Sequence, residues 1–368
     1  MKPYEPNKLP LKELDYKRLL PLVGNANAEL ARYDGLLQGI VNPSVMLSPL
    51  TNEEAVLSSK IEGTQATVDE VLELEAGLIK EGQKYNDIQE IINYREALRS
   101  AHDYLNAKSL TLSLIRELHK ILLNSVRGQD KTPGEFRKDQ NWIGKFGCTI
   151  EQASFVPPSP FQLNDYLGEW QEYIECDDID FLIQTAIVHA QFELIHPFMD
   201  GNGRIGRILI PLFLFQKKKL SQPMFYLSAY LESHREEYYH CLRGISQEQD
   251  WNGWIAFFLK AITKQAIVNN EKVKSIMDLY EKMKRDIHEI THSQYIVHLL
   301  DAIFDKPIFE TTDFIRRSKI NKKTAMSLIN QLKEHEILKV LREGKGRKPT
   351  ILCFPALLNI AEGKNFEW

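Results

Sequence analysis

Twelve consecutive residues restrict this chain more than any other stretch: His196-Pro-Phe-Met-Asp200-Gly-Asn-Gly-Arg204-Ile-Gly-Arg207. They put an imidazole, a carboxylate, an amide, three glycines and two guanidinium groups into one turn and the start of a helix. Apolar residues at helical spacing precede them (Leu182, Ile183, Ala186, Ile187, Ala190, Leu194), and an apolar segment from Ile208 to Phe215 follows. A polar loop between two buried helices must find partners for its donors and acceptors. A bound anion would supply them. Gly201 and Gly203 let backbone N–H groups turn toward one point, and the next helix adds the positive end of its dipole. Arg204 and Arg207 are permanently charged forks suited to phosphate oxygens. Asp200 offers the hard oxygen that Mg²⁺ takes beside phosphates, and His196, largely neutral near pH 7, can accept a proton from a hydroxyl. Together these groups describe a phosphate-transfer site with a general base.

The same letters contain Gly201-x-Gly203-x-x-Gly206, the spacing of a dinucleotide-binding loop. That reading needs a strand before the loop and a βαβ unit around it, and the helical spacing upstream supplies neither. The competing account is a structural loop, with His196 as a core histidine and the arginines in ordinary ion pairs.

His-Pro-Phe-x-Asp-Gly-Asn-Gly-Arg-x-x-Arg resembles the signature of the Fic family, whose members mostly transfer AMP from ATP to protein hydroxyls. All nine defined positions are present. The resemblance implies that His196 is the base for the target hydroxyl and that Asp200 holds Mg²⁺ between the α- and β-phosphates. It implies an anion nest at Gly201, Asn202 and Gly203, with Ile205 and Gly206 lining the same nucleotide site. Arg204 and Arg207 would grip the β- and γ-phosphates of ATP. Upstream, Ser58-Ser-Lys-Ile-Glu62-Gly63 reads by itself as a solvated helix end, with Ser58 and Glu62 on one face. Beside the main motif it resembles the family's inhibitory motif, Ser/Thr-x-x-x-Glu-Gly/Asn. The resemblance then implies that Glu62 pairs with Arg207 and keeps ATP from binding productively.

Around these motifs the chain reads as mainly α. Helical spacing runs from about Asn25 to Leu37, and Pro43 to Pro49 suggest a loop or short extended piece. Thr51-Asn-Glu-Glu54 and Thr67-Val-Asp-Glu70 are capping boxes, the second opening a helix through Leu78. Residues 87–105 and 110–123 are amphipathic scaffold, with His102 and His119 structural or at the surface. Residues 141–156, including Phe146, favour strands and form a hairpin signal; the resemblance makes this a flap to which a target backbone can add. Helices follow at 161–175 and 180–194, with His189 in the core. Ser228 starts another, and one near 234–242 carries Tyr238 and Tyr239, either of which the resemblance would stack on adenine. A long helix from Trp251 to about Glu289 acts as a connector.

Residues 294–360 change character: helices at 295–304, after Glu310 and from Asn321 to Glu334, then strands 337–342 and 349–354 around a Gly/Lys/Arg turn. Between 311 and 350, eleven Lys/Arg face four acids, although the whole chain carries −4. This is the pattern of a winged helix-turn-helix, either a DNA-reading module or a fold reused for protein contacts or dimerisation. The expected organisation is an N-terminal helical region with the inhibitory helix (1–85), a Fic-like helical bundle with its β-hairpin flap (86–260), a helical connector (261–293) and the winged-helix domain (294–368). Four scattered cysteines without a C-x-x-C pair, and no leader or membrane span, point to a reduced cytoplasmic setting. The expected activity is a Mg²⁺- and ATP-dependent protein adenylyltransferase acting on Ser, Thr or Tyr of a target protein or of itself, with a homodimer as the default assembly. Two alternatives stay open: a DNA-binding regulator with a nucleotide-sensing site, and a Fic-type enzyme using another phosphate donor or removing AMP.

Overall fold

The computed structural model describes residues 2–77, 84–124, 131–145, 147–345 and 348–362. The N-terminal helix, α1 (Tyr16–Gln38), is capped by Asp15 and turns Leu19, Val23, Ala26, Leu30, Tyr33 and Leu37 inward. It starts well before Asn25 because Pro21, which reads as a breaker, is tolerated inside it. Pro43 fixes the first position of a short helix, α2 (Pro43–Met46), where the sequence suggested a loop or extended piece. The next helix, α3 (Ser48–Ile61), begins with Pro49 in its first turn, three residues ahead of the expected start. The Thr51 capping box is therefore not formed. Thr51 instead bonds the Tyr226 hydroxyl at 2.9 Å, and buried Glu54 accepts from Ser228 and Tyr94. The second box is formed: Thr67 and Glu70 cap each other at the start of α4 (Val68–Glu75), while Leu78 lies outside the described residues.

Two amphipathic helices follow, α5 (Tyr85–Leu105) and α6 (Leu112–Leu122). Among the described residues the expected hairpin over 141–156 reduces to one antiparallel bridge, Ile143 with Phe155, plus a 3₁₀ turn at Ile150–Gln152. Local side chains compete with a ladder here: Thr149 and Gln152 cap each other, and Gln140 and Asn141 bond backbone carbonyls outside the segment. Phe146 lies outside the described residues.

The bundle's centre is α7 (Leu163–Glu175), α8 (Phe181–Ile195) and α9 (Asn202–Gln216). The middle helix is apolar on nearly every side and correspondingly enclosed, as a helix without a polar face must be. Trp170 and Trp254 each donate an indole N–H to one of its carbonyls at 2.9 Å. Beyond lie α10 (Ser228–Ser233), α11 (Arg235–Glu248) and α12 (Trp251–Thr291). At 41 residues, α12 spans about 60 Å. It packs on α1 and α8 near its start and on the C-terminal elements near its end.

Those elements are α13 (Ile296–Asp305), β1 (Ile308–Glu310), α14 (Thr311–Ser318), α15 (Lys322–Glu334, capped by Asn321), β2 (Lys339–Arg342), β3 (Ile351–Cys353) and α16 (Pro355–Glu362). The strands form an antiparallel sheet in the order β1-β3-β2, with Phe309 and Val340 both opposite Leu352 and an irregularity between Val340 and Arg342. The edge strand β1 has no counterpart in the sequence reading. Three residues between two helices carry too little alternation to register. Gly346 and Arg347 of the basic turn lie outside the described residues. Buried apolar side chains form one continuous core from Leu19 to Leu358.

Candidate active site

The polar motif occupies the junction of α8 and α9. His196 caps α8 in the left-handed region (φ 49°, ψ 62°) while its amide still bonds the Phe192 carbonyl at 3.0 Å. Pro197 then prevents the helix from continuing. Gly201, at φ 78°, turns the chain into α9. Asn202 clips the loop shut: its Oδ1 accepts from the Phe198 amide and its Nδ2 donates to the Phe198 carbonyl, both at 2.8 Å. His119 of α6 lies flat on the Phe198 ring, centroids 3.7 Å apart. Its Nδ1 accepts from the Gly134 amide at 2.9 Å, so Nε2 carries the proton and donates to the Asp200 carbonyl at 3.0 Å. Burial pushes this imidazole down to about 4, keeping it neutral.

The His196 ring has one nitrogen committed. Its Nδ1 lies 3.3 Å from the Glu193 carbonyl, which can only accept, so Nδ1 holds the proton and Nε2 keeps its lone pair. Burial pushes its pKa down to about 4, against the Glu193 carbonyl, which raises it, and with help from the Arg137 guanidinium, which lowers it.

Both arginines are engaged by carboxylates. Arg204 meets Glu90 of α5 at 2.9 Å, a pair whose side chains are 3% and 1% exposed, and reaches Asp200 at 3.5 Å. Arg207, 2% exposed, donates to Glu62 Oε1 at 2.7 Å, to Ser58 Oγ at 2.8 Å and to the Ser58 carbonyl at 2.9 Å. Burial alone would raise the Glu62 carboxyl, but Arg207 outweighs it and holds the group below its usual value. Glu62 lies so close over the start of α9 that a Cβ on Gly203 would sit 2.2 Å from its Oε1. A second acid does the same one turn on: a Cβ on Gly206 would meet Glu193 Oε1 at 2.1 Å. That oxygen is buried without a hydrogen-bond partner, and burial pushes the Glu193 carboxyl up to about 8.

Asp200 is 39% exposed; Oδ1 accepts the Gly201 amide at 2.6 Å, while Oδ2 accepts no hydrogen bond among the described residues. No cluster of three or more His, Cys, Asp or Glu able to hold a metal occurs among the described residues. One free carboxylate oxygen suits Mg²⁺, which takes most of its ligands from phosphates and water.

The tyrosine pair separates. Tyr238 is 1% exposed and donates to His189 Nε2 at 3.0 Å, so its ring faces the core rather than a ligand, which corrects its expected role on adenine. Tyr239 is half-buried beside Arg235 and retains an accessible face. Sequence reasoning missed Glu90, Glu193 and Arg137. Glu90 falls in the buried stripe of α5 with Tyr94, Ala97 and Ala101, and Glu193 is an acid inside an apolar helix; both were legible signals. Arg137 carried none beyond its place after a Pro-Gly turn.

The chain matches the Fic/DOC family N-terminal profile over residues 20–103 and the Fic/DOC family profile over residues 109–214. It belongs to the Fic/DOC family. Among curated proteins it is similar to a probable protein adenylyltransferase of Aquifex aeolicus, 28% identical over 193 residues covering 52% of this chain and 56% of that protein. It is also similar to the protein adenylyltransferase Fic of Drosophila grimshawi, 27% identical over 213 residues covering 55% of this chain and 40% of that one. The match thus spans about half the length of these relatives. In fold it resembles a Fic family protein from Desulfovibrio desulfuricans G20, with a TM-score of 0.60 at 19% identity over 95% of this chain and 98% of that one.

Proposed function

We propose that this chain is a protein adenylyltransferase that moves AMP from ATP to a Ser, Thr or Tyr hydroxyl of a protein, its own included, and that Glu62 inhibits it through Arg207. The 2.7 Å contact of Glu62 with Arg207, beside a His196 whose Nε2 is free to accept a proton, carries the reading. His196 takes the proton of the incoming hydroxyl as its oxygen bonds the α-phosphorus and the bond to the β-phosphate oxygen breaks, releasing pyrophosphate. The amides at the start of α9 and Arg204 bind the phosphate chain, and Arg207 receives the γ-phosphate once Glu62 leaves it. Mg²⁺ bound with ATP would neutralise charge on the leaving phosphates, and Asp200 Oδ2 is the oxygen that would hold it. Positioning and charge supply most of the acceleration. Tyr239 is the ring available to the base. The order α13-β1-α14-α15-β2-β3 and the basic turn after Arg342 support a winged-helix reading of the C-terminal elements, in a cytoplasmic, homodimeric protein.

The experiment compares the Glu62→Gly chain with wild type in Mg²⁺ and α-labelled ATP, using Glu62→Gly/His196→Ala as the control. Label on protein that rises at least tenfold and depends on His196 is expected. An unchanged or lower signal removes the inhibitory role. No label at all, with salt-sensitive, sequence-selective DNA binding, would favour a nucleotide-sensing regulator instead.

A further inference from the structure

Arg137 is a buried cation that meets no carboxylate among the described residues. It is 3% exposed, and among the described residues its hydrogen-bond acceptors are all carbonyl oxygens. Nε donates to His196 O at 2.9 Å, Nη2 to Pro158 O at 2.5 Å and Ile195 O at 3.4 Å, and Nη1 to Asp139 O at 3.4 Å. Its own amide donates to Pro197 O at 2.9 Å. Burying an unpaired charge is costly, so this arrangement needs compensation. The end of α8 provides it. The last carbonyls of a helix lack intrahelical partners and carry the negative end of its dipole, and Pro197 prevents a further turn from satisfying them.

We propose that Arg137 is a positioning residue for His196, its planar fork fastening the last carbonyls of α8 to both roots of the 139–158 segment so that the imidazole is held at one place. This rests on the reading of His196 as the base. Two effects of the guanidinium are separable. Its fork spans carbonyls from three segments, which the point charge of lysine cannot do. Its positive charge opposes the imidazolium. The charged groups facing His196 are Arg137, from the stretch after α6; Glu62, from the end of α3; and Asp200, from its own loop. The last two favour the imidazolium, and the Glu193 carbonyl on Nδ1 does likewise. Because the segment that Arg137 roots is also the exposed edge carrying Trp142 and Ile143, anything docked there is tied through one side chain to the backbone of the base.

The test uses the full chain carrying Glu62→Gly, with Arg137→Lys and Arg137→Gln added separately. It reads AMP transfer with its KM for ATP, and the titration of the His196 ring by NMR of histidine-labelled protein, assigned with His196→Ala. Arg137→Lys is expected to lower kcat at least tenfold, to keep KM for ATP within twofold and to leave the ring titration in place. Arg137→Gln is expected to lower kcat as far and to move the ring titration and the acid limb of kcat upward together, by about one pH unit. A merely structural role predicts less folded protein with an unchanged kcat per ATP-binding site. That result, or an unmoved ring titration in a folded Arg137→Gln chain, overturns the proposal. Should Arg137→Gln fail to fold, an Arg137→Lys chain with kcat within twofold of its parent overturns it. If the Glu62→Gly parent transfers no AMP, the adenylyltransferase reading fails separately, and the ring spectra, read without turnover, still decide on Arg137.

Discussion

At the scale of single residues, the site is a contest of acids for one guanidinium. Arg207 is held by Glu62, while Glu193 lies behind it over Gly206, buried and protonated. The Glu193 carboxyl binds a proton in the folded chain between the ordinary value of 4.5 and about 8, so its stabilising contribution is complete below 4.5 and is lost as pH rises through about 8. Glu193→Gln keeps the shape and removes the titration. The variant is expected to match wild type in urea unfolding near pH 4.5 and to exceed it by about 4 kcal/mol at pH 8. Equal stability of the two chains at both pH values would show that the carboxyl ionises normally. Glu62→Gly acts oppositely: it leaves Arg207 buried without its carboxylate and should cost about 1–3 kcal/mol in unfolding experiments, a loss that Mg²⁺ and ATP should largely restore.

At the scale of elements, the loop between α8 and α9 is shaped by a helix distant in sequence. From α6, His119 stacks on Phe198 and bridges the Gly134 amide to the Asp200 carbonyl. His119→Phe would keep the stacking and lose both hydrogen bonds, which should cost about 2 kcal/mol at pH 7. The pH dependence has a definite sign. His119 is held neutral down to about 4 rather than 6.5, so the folded chain loses stability relative to the unfolded one as pH falls through that window. The variant has no such group, and the gap between the two chains should narrow from pH 7 to pH 5. A gap that widens on acidification would mean that the imidazole is charged in the fold.

For the molecule as a whole, helix α3 is gripped at both ends. Its C-terminal end presents Ser58 and Glu62 to Arg207, and its start is tied to the C-terminal elements. Ser48 donates to the Asp305 carbonyl at 2.7 Å, and Lys272 of α12 bridges Glu53 at 2.6 Å and the Ala361 carbonyl at 3.1 Å. Lys272→Met should lower stability by about 1 kcal/mol. It should also raise basal AMP transfer up to about fivefold, the equivalent of that energy if it all loosens α3. A stability loss with unchanged transfer would show that the C-terminal elements brace the fold without bearing on Glu62.

Much of this protein was legible before folding, because its signals are local. The apolar periodicities of α5 to α9, the Thr67 and Asn321 caps and the twelve-residue motif each lie within a few turns of chain. So does Ser58-x-x-x-Glu62, whose partner was legible only through its family resemblance. The failures share one cause: a local preference yielded to a distant contact. Thr51 gave up its cap to the Tyr226 hydroxyl, and the strand-favouring residues at 141–156 make one bridge among the described residues. Tyr238 was drawn into the core by His189, leaving Tyr239 alone with an accessible ring. Glu90 on Arg204, His119 under Phe198 and Arg137 on the end of α8 join positions 59 to 114 residues apart. Residue type and spacing along the chain are enough to name the groups that do chemistry. Which buried charge each of them meets depends on helix packing, because a desolvated ion must be matched by whatever side chain or carbonyl the fold brings beside it.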